Sequence, residues 1–313
     1  MNILITGVTG FVGSAIAKKI SEKNDTQIIA TLRRKSSSLP THIRPVLVGD
    51  LLGSTDYSEA VKGIDVVIHT AARVHIMQDN ANNRLDEFRK INVDGTLNLA
   101  KQAAIAGVRR FIFISSIKVN GEATNGTPFT PDDKITTVDP YGLSKWEAEQ
   151  GLIQIANETN MDIVIVRPPL IYGPDVKANF LSLMKLMQKG IPLPFGAIHN
   201  RRSLVALDNL VNFIIHCIDH PKAANKIFLI SDGEDVSTTE LLQKVADAFG
   251  RKALLLPVPV CWMIFAAKLI GKSDVANRLF GSLLVDSSKT RELLGWKPVI
   301  TMDEQLKKMV KAE

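Results

Sequence analysis

The chain of 313 residues is 45% hydrophobic and 22% charged with 20 glycines, a globular balance that excludes collagenous, disordered and disulfide-scaffold classes. Its length suits one large domain or two fused ones. An excess of 38 Lys plus Arg over 32 Asp plus Glu gives a net charge of +6, which favours anionic ligands but forms no dense basic stripe, so no nucleic-acid partner is expected.

The segment from Met1 to Gly7 has no basic leader ahead of a long apolar run, and Asn2 to Thr6 reads as a first strand. Gly13 to Ser21 then reads as a helix and Gln27 to Leu32 as a second strand, the pattern of a βαβ unit. Pro45 to Val48, Asp65 to Thr70, Phe111 to Ser115 and Met161 to Val166 read as further strands. Leu85 to Ala106 and Tyr141 to Asn157 read as the helices between them. Continuous apolar strands separated by helices predict a parallel sheet covered on both faces.

After Arg167 the texture changes. Pro168, Pro169, Gly173, Pro174, Gly190, Pro192, Pro194 and Gly196 mark irregular connections around one helix, Phe180 to Gln188, in what reads as a substrate region. Leu207 to Asp219 and Lys226 to Ser231 resume the helix and strand pattern, and the chain from Thr238 onward is mainly helical. The stretch from Ala253 to Ile270 is almost wholly apolar, but Pro257, Pro259 and Lys268 leave no spanning helix of about 20 residues. It reads as a buried helix, with attachment to a membrane face or a membrane-bound enzyme as the alternative. Cys217 and Cys261 show no CxxC or Cys/His spacing, so neither a disulfide framework nor a metal site is expected, and a reducing, cytoplasmic setting is implied.

The first strand runs into Gly7, Val8, Thr9, Gly10, Phe11, Val12 and Gly13 and opens a helix. Glycines there let the backbone approach a pyrophosphate, and the amides and dipole of the helix N-terminus favour its charge. The context makes this a dinucleotide site. An acidic residue about 20 positions on would accept the ribose diol of NAD, whereas arginine accommodates the 2′-phosphate of NADP. No Asp or Glu lies between Thr26 and Lys35, while Arg33, Arg34 and Lys35 cluster there, so NADP(H) is favoured, with NAD(H) as the alternative.

Tyr141 and Lys145 stand one helical turn apart, just after Asp139 and Pro140. A lysine cation so placed is expected to lower the phenol's pKa and make it a proton exchanger. The strand ending in Ser115 and Ser116 places a hydroxyl at the carboxyl end of the sheet, where ligands bind in doubly wound folds. That hydroxyl can hold a substrate oxygen while Tyr141 exchanges its proton and a nicotinamide exchanges a hydride with the adjacent carbon.

These segments, with Val48 to Leu51, His69 to Ala72, Ile91 to Thr96, Arg167 to Pro169 and Tyr172 to Pro174, resemble the extended short-chain dehydrogenase/reductases of the NAD-dependent epimerase/dehydratase family over essentially the whole chain. The resemblance implies a Rossmann-type doubly wound parallel sheet with a smaller, mainly helical C-terminal substrate domain. The nucleotide-binding part would comprise residues 1–167 and about 205–231, and the substrate part about 168–204 and 232–313. By position, it implies that Asp50 and Leu51 meet the adenine, Ala71 and Ala72 flank the dinucleotide, and Asn92 supports the active site. Pro168 would approach the nicotinamide, and Ser116 would be the catalytic serine beside Tyr141 and Lys145. Asn179 and Arg201 match positions that contact a nucleotide diphosphate, with Arg202 as an alternative, and arginine suits phosphate through charge-assisted bonds. Ser282 and Leu283 fall near the sugar.

The stretch Ser116 to Glu122, with Asn200 to Val205, resembles a UDP-glucose 4-epimerase-like subgroup from bacterial surface-polysaccharide clusters. Two chemistries fit. A reductase would deliver hydride once from NADPH to UDP-4-keto-6-deoxy-N-acetylglucosamine, giving UDP-N-acetylquinovosamine or UDP-N-acetylfucosamine. A 4-epimerase would take and return hydride at C4 on a retained NAD⁺. The basic end of the second strand favours the reductase. A nonenzymatic NADP-sensing protein on the same fold is a third reading, but it has no need of Ser116, Tyr141 and Lys145 together. The resemblance also implies a homodimer formed by the helices Leu85 to Ala106 and Tyr141 to Asn157 as a four-helix interface.

Overall fold

The computed structural model describes residues 1–312 apart from 23–24, 36–38, 75–80, 177–178, 270 and 272. In chain order the first half comprises β1 (Asn2–Thr6), α1 (Phe11–Ser21), β2 (Gln27–Leu32), β3 (Ile43–Leu47), α2 (Ser58–Val61), β4 (Val66–His69), α3 (Ala81–Phe88), a π-helical segment (Arg89–Gly95), α4 (Thr96–Ile105) and β5 (Arg110–Ile114). A short 3₁₀ turn (Ile117–Val119), α5 (Pro140–Glu158), β6 (Asp162–Arg167), β7 (Leu170–Tyr172), α6 (Asn179–Lys189), β8 (Arg202–Ala206), α7 (Leu207–Asp219) and β9 (Lys226–Leu229) follow. The chain ends with β10 (Asp235–Val236), α8 (Thr238–Ala248), α9 (Val260–Leu269), α10 (Ser273–Phe280), α11 (Ser288–Leu294) and α12 (Met302–Ala312).

Seven strands form one sheet in the order β3-β2-β1-β4-β5-β6-β9, and every neighbouring pair is parallel. Strand side chains alternate between its two faces, so Ile3 and Ile5 pack with Ile16 and Ile20 of α1 and Phe213 of α7. Leu4 packs on the other face with Leu99 of α4 and Leu152 of α5. This is the doubly wound Rossmann-type fold, and the order reverses between β1 and β4, where such sheets open a crevice at the strands' carboxyl ends.

A second sheet, β10-β8-β7, and helices α6, α8 and α12 enclose a separate core around Tyr172, Met184, Leu242 and Leu306. Its strands escape a reading by periodicity because they are only 2 to 5 residues long and lie among proline- and glycine-rich turns.

Two expectations need correction. Leu85 to Ala106 is not one helix: α3 and α4 are joined by the π-helical segment, where Gly95 lies so close to Leu51 that a Cβ would fall 2.6 Å from its carbonyl oxygen. The extra residue of a π turn rotates Asn92 inward, and such turns cluster at functional sites. The apolar stretch after Ala253 does form a helix, α9, but none of its residues is buried. It is apolar on all sides, so covering one face leaves another apolar face outside. No described helix is long and apolar enough to cross a membrane.

Candidate active site

The crevice between β1 and β4 is a cleft of about 1010 Å³. Gly7, Thr9, Gly10, Phe11, Val12 and Gly13 line it, with Arg33, Arg34, Asp50, Leu51, Ala71 and Ala72. These six residues from the ends of β2, β3 and β4 meet the glycine turn that opens α1 because the sheet brings four strand ends together.

The glycines have distinct reasons. Gly7 adopts φ +70°, a left-handed conformation that costs other residues more, and its Cβ would collide with the backbone of Ala71 at 2.8 Å. A Cβ on Gly13 would strike the carbonyl of Gly7. Gly10, the N-cap of α1, provides no capping side chain, and the first turn contains no acidic residue. The N-terminal amides of α1 are therefore free of a competing side-chain acceptor there, which fits a pyrophosphate.

At the rim, Arg33 Nε lies 3.8 Å from Asp50 Oδ1, both side chains being well exposed. Behind the cleft Thr6 and His69 fix the ends of β1 and β4. His69 Nδ1 is 2.6 Å from Thr6 Oγ1, and its Nε2 is 2.9 Å from Thr96 Oγ1. Burial, with a smaller contribution from the charge of Lys145, pushes His69 down to about 3, so the ring is neutral.

Helix α5 starts where Asp139 accepts a hydrogen bond from Gly142 N at 2.8 Å, with Pro140 at the first position. Lys118, two residues past Ser116, donates to the same Asp139 at 3.1 Å, and a Cβ on Gly142 would lie 2.6 Å from Lys118 O. The start of α5 is thereby held against the turn that follows β5. Asn92 ties this helix to the cleft: its Oδ1 accepts from Arg73 N at 2.8 Å, and its Nδ2 donates to Arg73 O and to Ser144 Oγ, each at 3.0 Å.

Tyr141 is half-buried with its ring edge-on to Phe88 at 5.8 Å. Lys145 is buried, donates to Ile114 O at 2.8 Å and stands 4.3 Å over the Phe113 ring. Its burial pushes it down to about 7 against the opposing pull of Glu149. The sequence spacing predicts a phenol lowered by the lysine, but Tyr141 is instead raised, first by burial and then by the Asp139 carboxylate. The lysine does not offset this, because its ammonium is turned to the Ile114 carbonyl.

The structure separates the two serines. Ser115 is buried and donates to Glu149 Oε1. Ser116 is only half-buried, and its Oγ accepts from Lys118 N at 3.2 Å. Glu149 also takes the guanidinium of Arg167, whose Nε reaches Oε1 at 3.0 Å and whose Nη1 donates to Asn120 at 3.0 Å. Pro168 O accepts from Ile117 N at 3.0 Å, so the segment after β6 braces the serine turn.

On the substrate side, Arg201 is exposed, and its side chain pairs with Asp235 at 3.1 Å. Arg202 is committed to the carbonyls of Arg278 and Gly281 at 2.9 and 3.0 Å. Arg201 O accepts from Leu283 N at 2.9 Å, while Ser282 O accepts from Thr124 N at 2.8 Å, so these arginines connect through 282–284 to the loop following Ser116. Asn179 opens α6, but its side chain lies outside what the structure describes. Among the described residues no cluster of three His, Cys, Asp or Glu could hold a metal.

Sequence reading missed Arg73, Glu87 and Lys90, which line the cleft as a chain of ion pairs, Glu87 lying 2.9 Å from each cation. It also missed Glu149, whose only signal is a carboxylate one turn beyond Lys145 on an otherwise apolar helix face.

The fold and this arrangement define a nucleotide-dependent α/β enzyme class, and residues 3–231 match the NAD dependent epimerase/dehydratase family. The chain belongs to that family of extended short-chain dehydrogenase/reductases. A UDP-glucose 4-epimerase of Vibrio cholerae is 50% identical over 317 residues, covering 99% of this chain and 95% of that protein. An N-acetyl-alpha-D-glucosaminyl-diphospho-ditrans,octacis-undecaprenol 4-epimerase of Escherichia coli O157:H7 is 28% identical over 267 residues, covering 83% of this chain and 76% of that protein. Among solved structures, a UDP-glucuronic acid 4-epimerase from Bacillus cereus in complex with NAD shares the fold with a TM-score of 0.79 at 21% identity, covering 100% of this chain and 98% of that one.

Proposed function

We propose that this protein is a UDP-sugar 4-epimerase working with a retained NAD. The observation that carries the reading is the 50% identity to the V. cholerae UDP-glucose 4-epimerase, which spans both the cleft and the substrate-side segments. It reverses the preference for a reductase drawn from Arg33 and Arg34 alone.

In this reading a bound nicotinamide would supply the hydride chemistry at C4, by which the hydride is removed and returned to the other face. Gly7, Gly10, Gly13 and the first amides of α1 hold the pyrophosphate, with Thr9, Phe11 and Val12 beside them, Asp50 and Leu51 toward the adenine, and Ala71 and Ala72 along the dinucleotide. Tyr141 takes the proton of the C4 hydroxyl and gives it back, while Ser116 hydrogen-bonds the same oxygen. Lys145 supplies the positive charge that a phenolate needs when its ammonium turns from the Ile114 carbonyl to Tyr141. Asn92 fixes Ser144 between these two residues. Arg201 holds the diphosphate, since Arg202 is already spent on carbonyls. The split into residues 1–167 with about 205–231 against the remainder, a homodimer through α3, α4 and α5, and a cytoplasmic setting belong to the same proposal.

A second reading has one observation in its favour. Arg33 and Arg34 stand on the cleft wall at the end of β2 with no carboxylate on that strand end, an arrangement suited to a 2′-phosphate and hence to NADPH-dependent reduction of a 4-keto sugar nucleotide. Denaturing the purified protein, identifying the released dinucleotide by mass and incubating the native protein with UDP-glucose without reductant separates the two. Retained NAD and formation of UDP-galactose support the epimerase. Absence of bound dinucleotide, tight NADPH binding and no interconversion would transfer the assignment to the reductase. Tyr141→Phe should reduce turnover at least about 10²-fold while the dinucleotide stays bound.

A further inference from the structure

Helix α9 presents two apolar faces. Val260, Met263, Ile264 and Ala267, spaced i, i+3, i+4, i+7, are the half-buried ones and turn toward the protein. Trp262, Phe265, Ala266 and Leu269 repeat that spacing on the outside, and the three large ones are 71%, 65% and 72% exposed. The strand-like segment leading to the helix extends the same surface. Leu255 turns inward and bridges to Leu193, which leaves Leu254 and Leu256 outward at 52% and 54% exposure. Side chains of this size rarely form a contiguous exposed group unless something covers them.

The charges around this surface have one sign. Between Asp247 and Asp274 the chain contains Arg251, Lys252, Lys268 and Lys272 and no acidic residue. Among the described residues, Lys252 and Lys268 are exposed and make no ion pair. An apolar ridge with Trp and Phe at its crest and unpaired cations at its ends matches the chemistry of an anionic bilayer interface, where rings enter the headgroup layer and ammonium groups meet lipid phosphates. A helix of 10 residues is about 15 Å long, half of the hydrocarbon thickness, so it lies along the surface. A second copy is the poorer occupant, because a twofold contact through this face would oppose like charges with no carboxylate to answer them.

We propose that α9 and residues 251–256 seat this protein on an anionic lipid surface. α9 packs on α10, and the carbonyls of Arg278 in its last turn and of Gly281 just after it hold Arg202 beside the substrate-side Arg201, so the seating element is continuous with the substrate side of the protein. The inference stands whichever reaction the cleft performs.

The test uses the full-length protein and vesicles floated on a density gradient. Vesicles of phosphatidylglycerol and phosphatidylethanolamine (about 3:7) should bind at least about tenfold more protein than phosphatidylcholine vesicles, with a blue shift of tryptophan emission. Trp262→Ser combined with Phe265→Ser should abolish binding and the shift while UDP-sugar turnover in solution is unchanged. Lys252→Glu combined with Lys268→Glu, which leaves the apolar ridge intact, should remove the preference for anionic vesicles. Binding to neither vesicle, or equal binding by wild type and both variants, overturns the proposal. So does a lipid-free wild-type oligomer that the Trp262/Phe265 variant converts to monomer, since the ridge would then belong to a second copy.

Discussion

Helix α5 takes a lysine, a glutamate and a serine into the interior, whereas α9 turns a tryptophan, a phenylalanine and a leucine outward. Both invert the ordinary partition of side chains. In α5 each buried polar group has a partner: Lys145 has Ile114 O, Glu149 has Arg167 and Ser115, and Ser144 has Asn92. In α9 the outward side chains stay mostly uncovered among the described residues. Satisfied polar burial fixes geometry inside the fold, as the reaction of Tyr141 requires, while unsatisfied apolar exposure points to a contact outside it.

The largest effect should come from breaking the α5 network. Glu149→Gln leaves the Arg167 guanidinium buried without its counter-charge and should cost about 3–5 kcal/mol in urea unfolding. Pairing Glu149→Leu with Arg167→Met removes both charges and should recover most of that loss. If the single substitution costs under about 1 kcal/mol, the two charges are not coupled in the way their contacts imply.

A smaller effect is expected at His69, which packs against the Phe113 ring beneath Lys145. The folded ring is held down to about 3, whereas an unfolded histidine titrates near 6.5. The unfolded chain therefore binds the extra proton between these values. This contribution to stability is complete above about pH 6.5 and is lost as pH falls toward 3, by at most about 1.4 kcal/mol per pH unit. Between pH 6.5 and 5, before carboxylates dominate, His69→Gln should flatten the slope of urea midpoint against pH. An unchanged slope would mean that another group takes up the proton.

What the sequence makes legible follows the range of the interactions. The glycine turn and the Tyr141/Lys145 pair are local patterns whose spacing already states the geometry. The parallel sheet is legible because β1, β2 and β5 are apolar along their length. Arg167 and Glu149 are not, because their pairing depends on which face of α5 meets β6. Nor is the direction of the Tyr141 shift: the spacing puts the lysine one turn away, but the carbonyl of Ile114, on another strand, decides where the ammonium goes. In α9 composition misleads, since a mainly apolar helix reads as core until the packing leaves one face largely exposed.

The smallest expected effect is the sharpest contrast with the interior. Helix α7 resembles α9 in its aliphatic content, yet its half-buried side carries polar Asp208, Asn212 and His216, the last two bonded to Trp296 and Leu294, and it buries Phe213 and Ile214 completely. Phe213→Ala should cost about 3–5 kcal/mol through the cavity it leaves. Trp262→Ser with Phe265→Ser removes more aromatic surface, yet in lipid-free solution it should change stability by no more than about 0.5 kcal/mol, because those rings keep most of their contact with water on folding. Urea unfolding of both variants at two protein concentrations checks this. A cost of several kcal/mol at α9 that grows with concentration would mean that a second copy covers the face, since only association makes stability depend on the amount of protein.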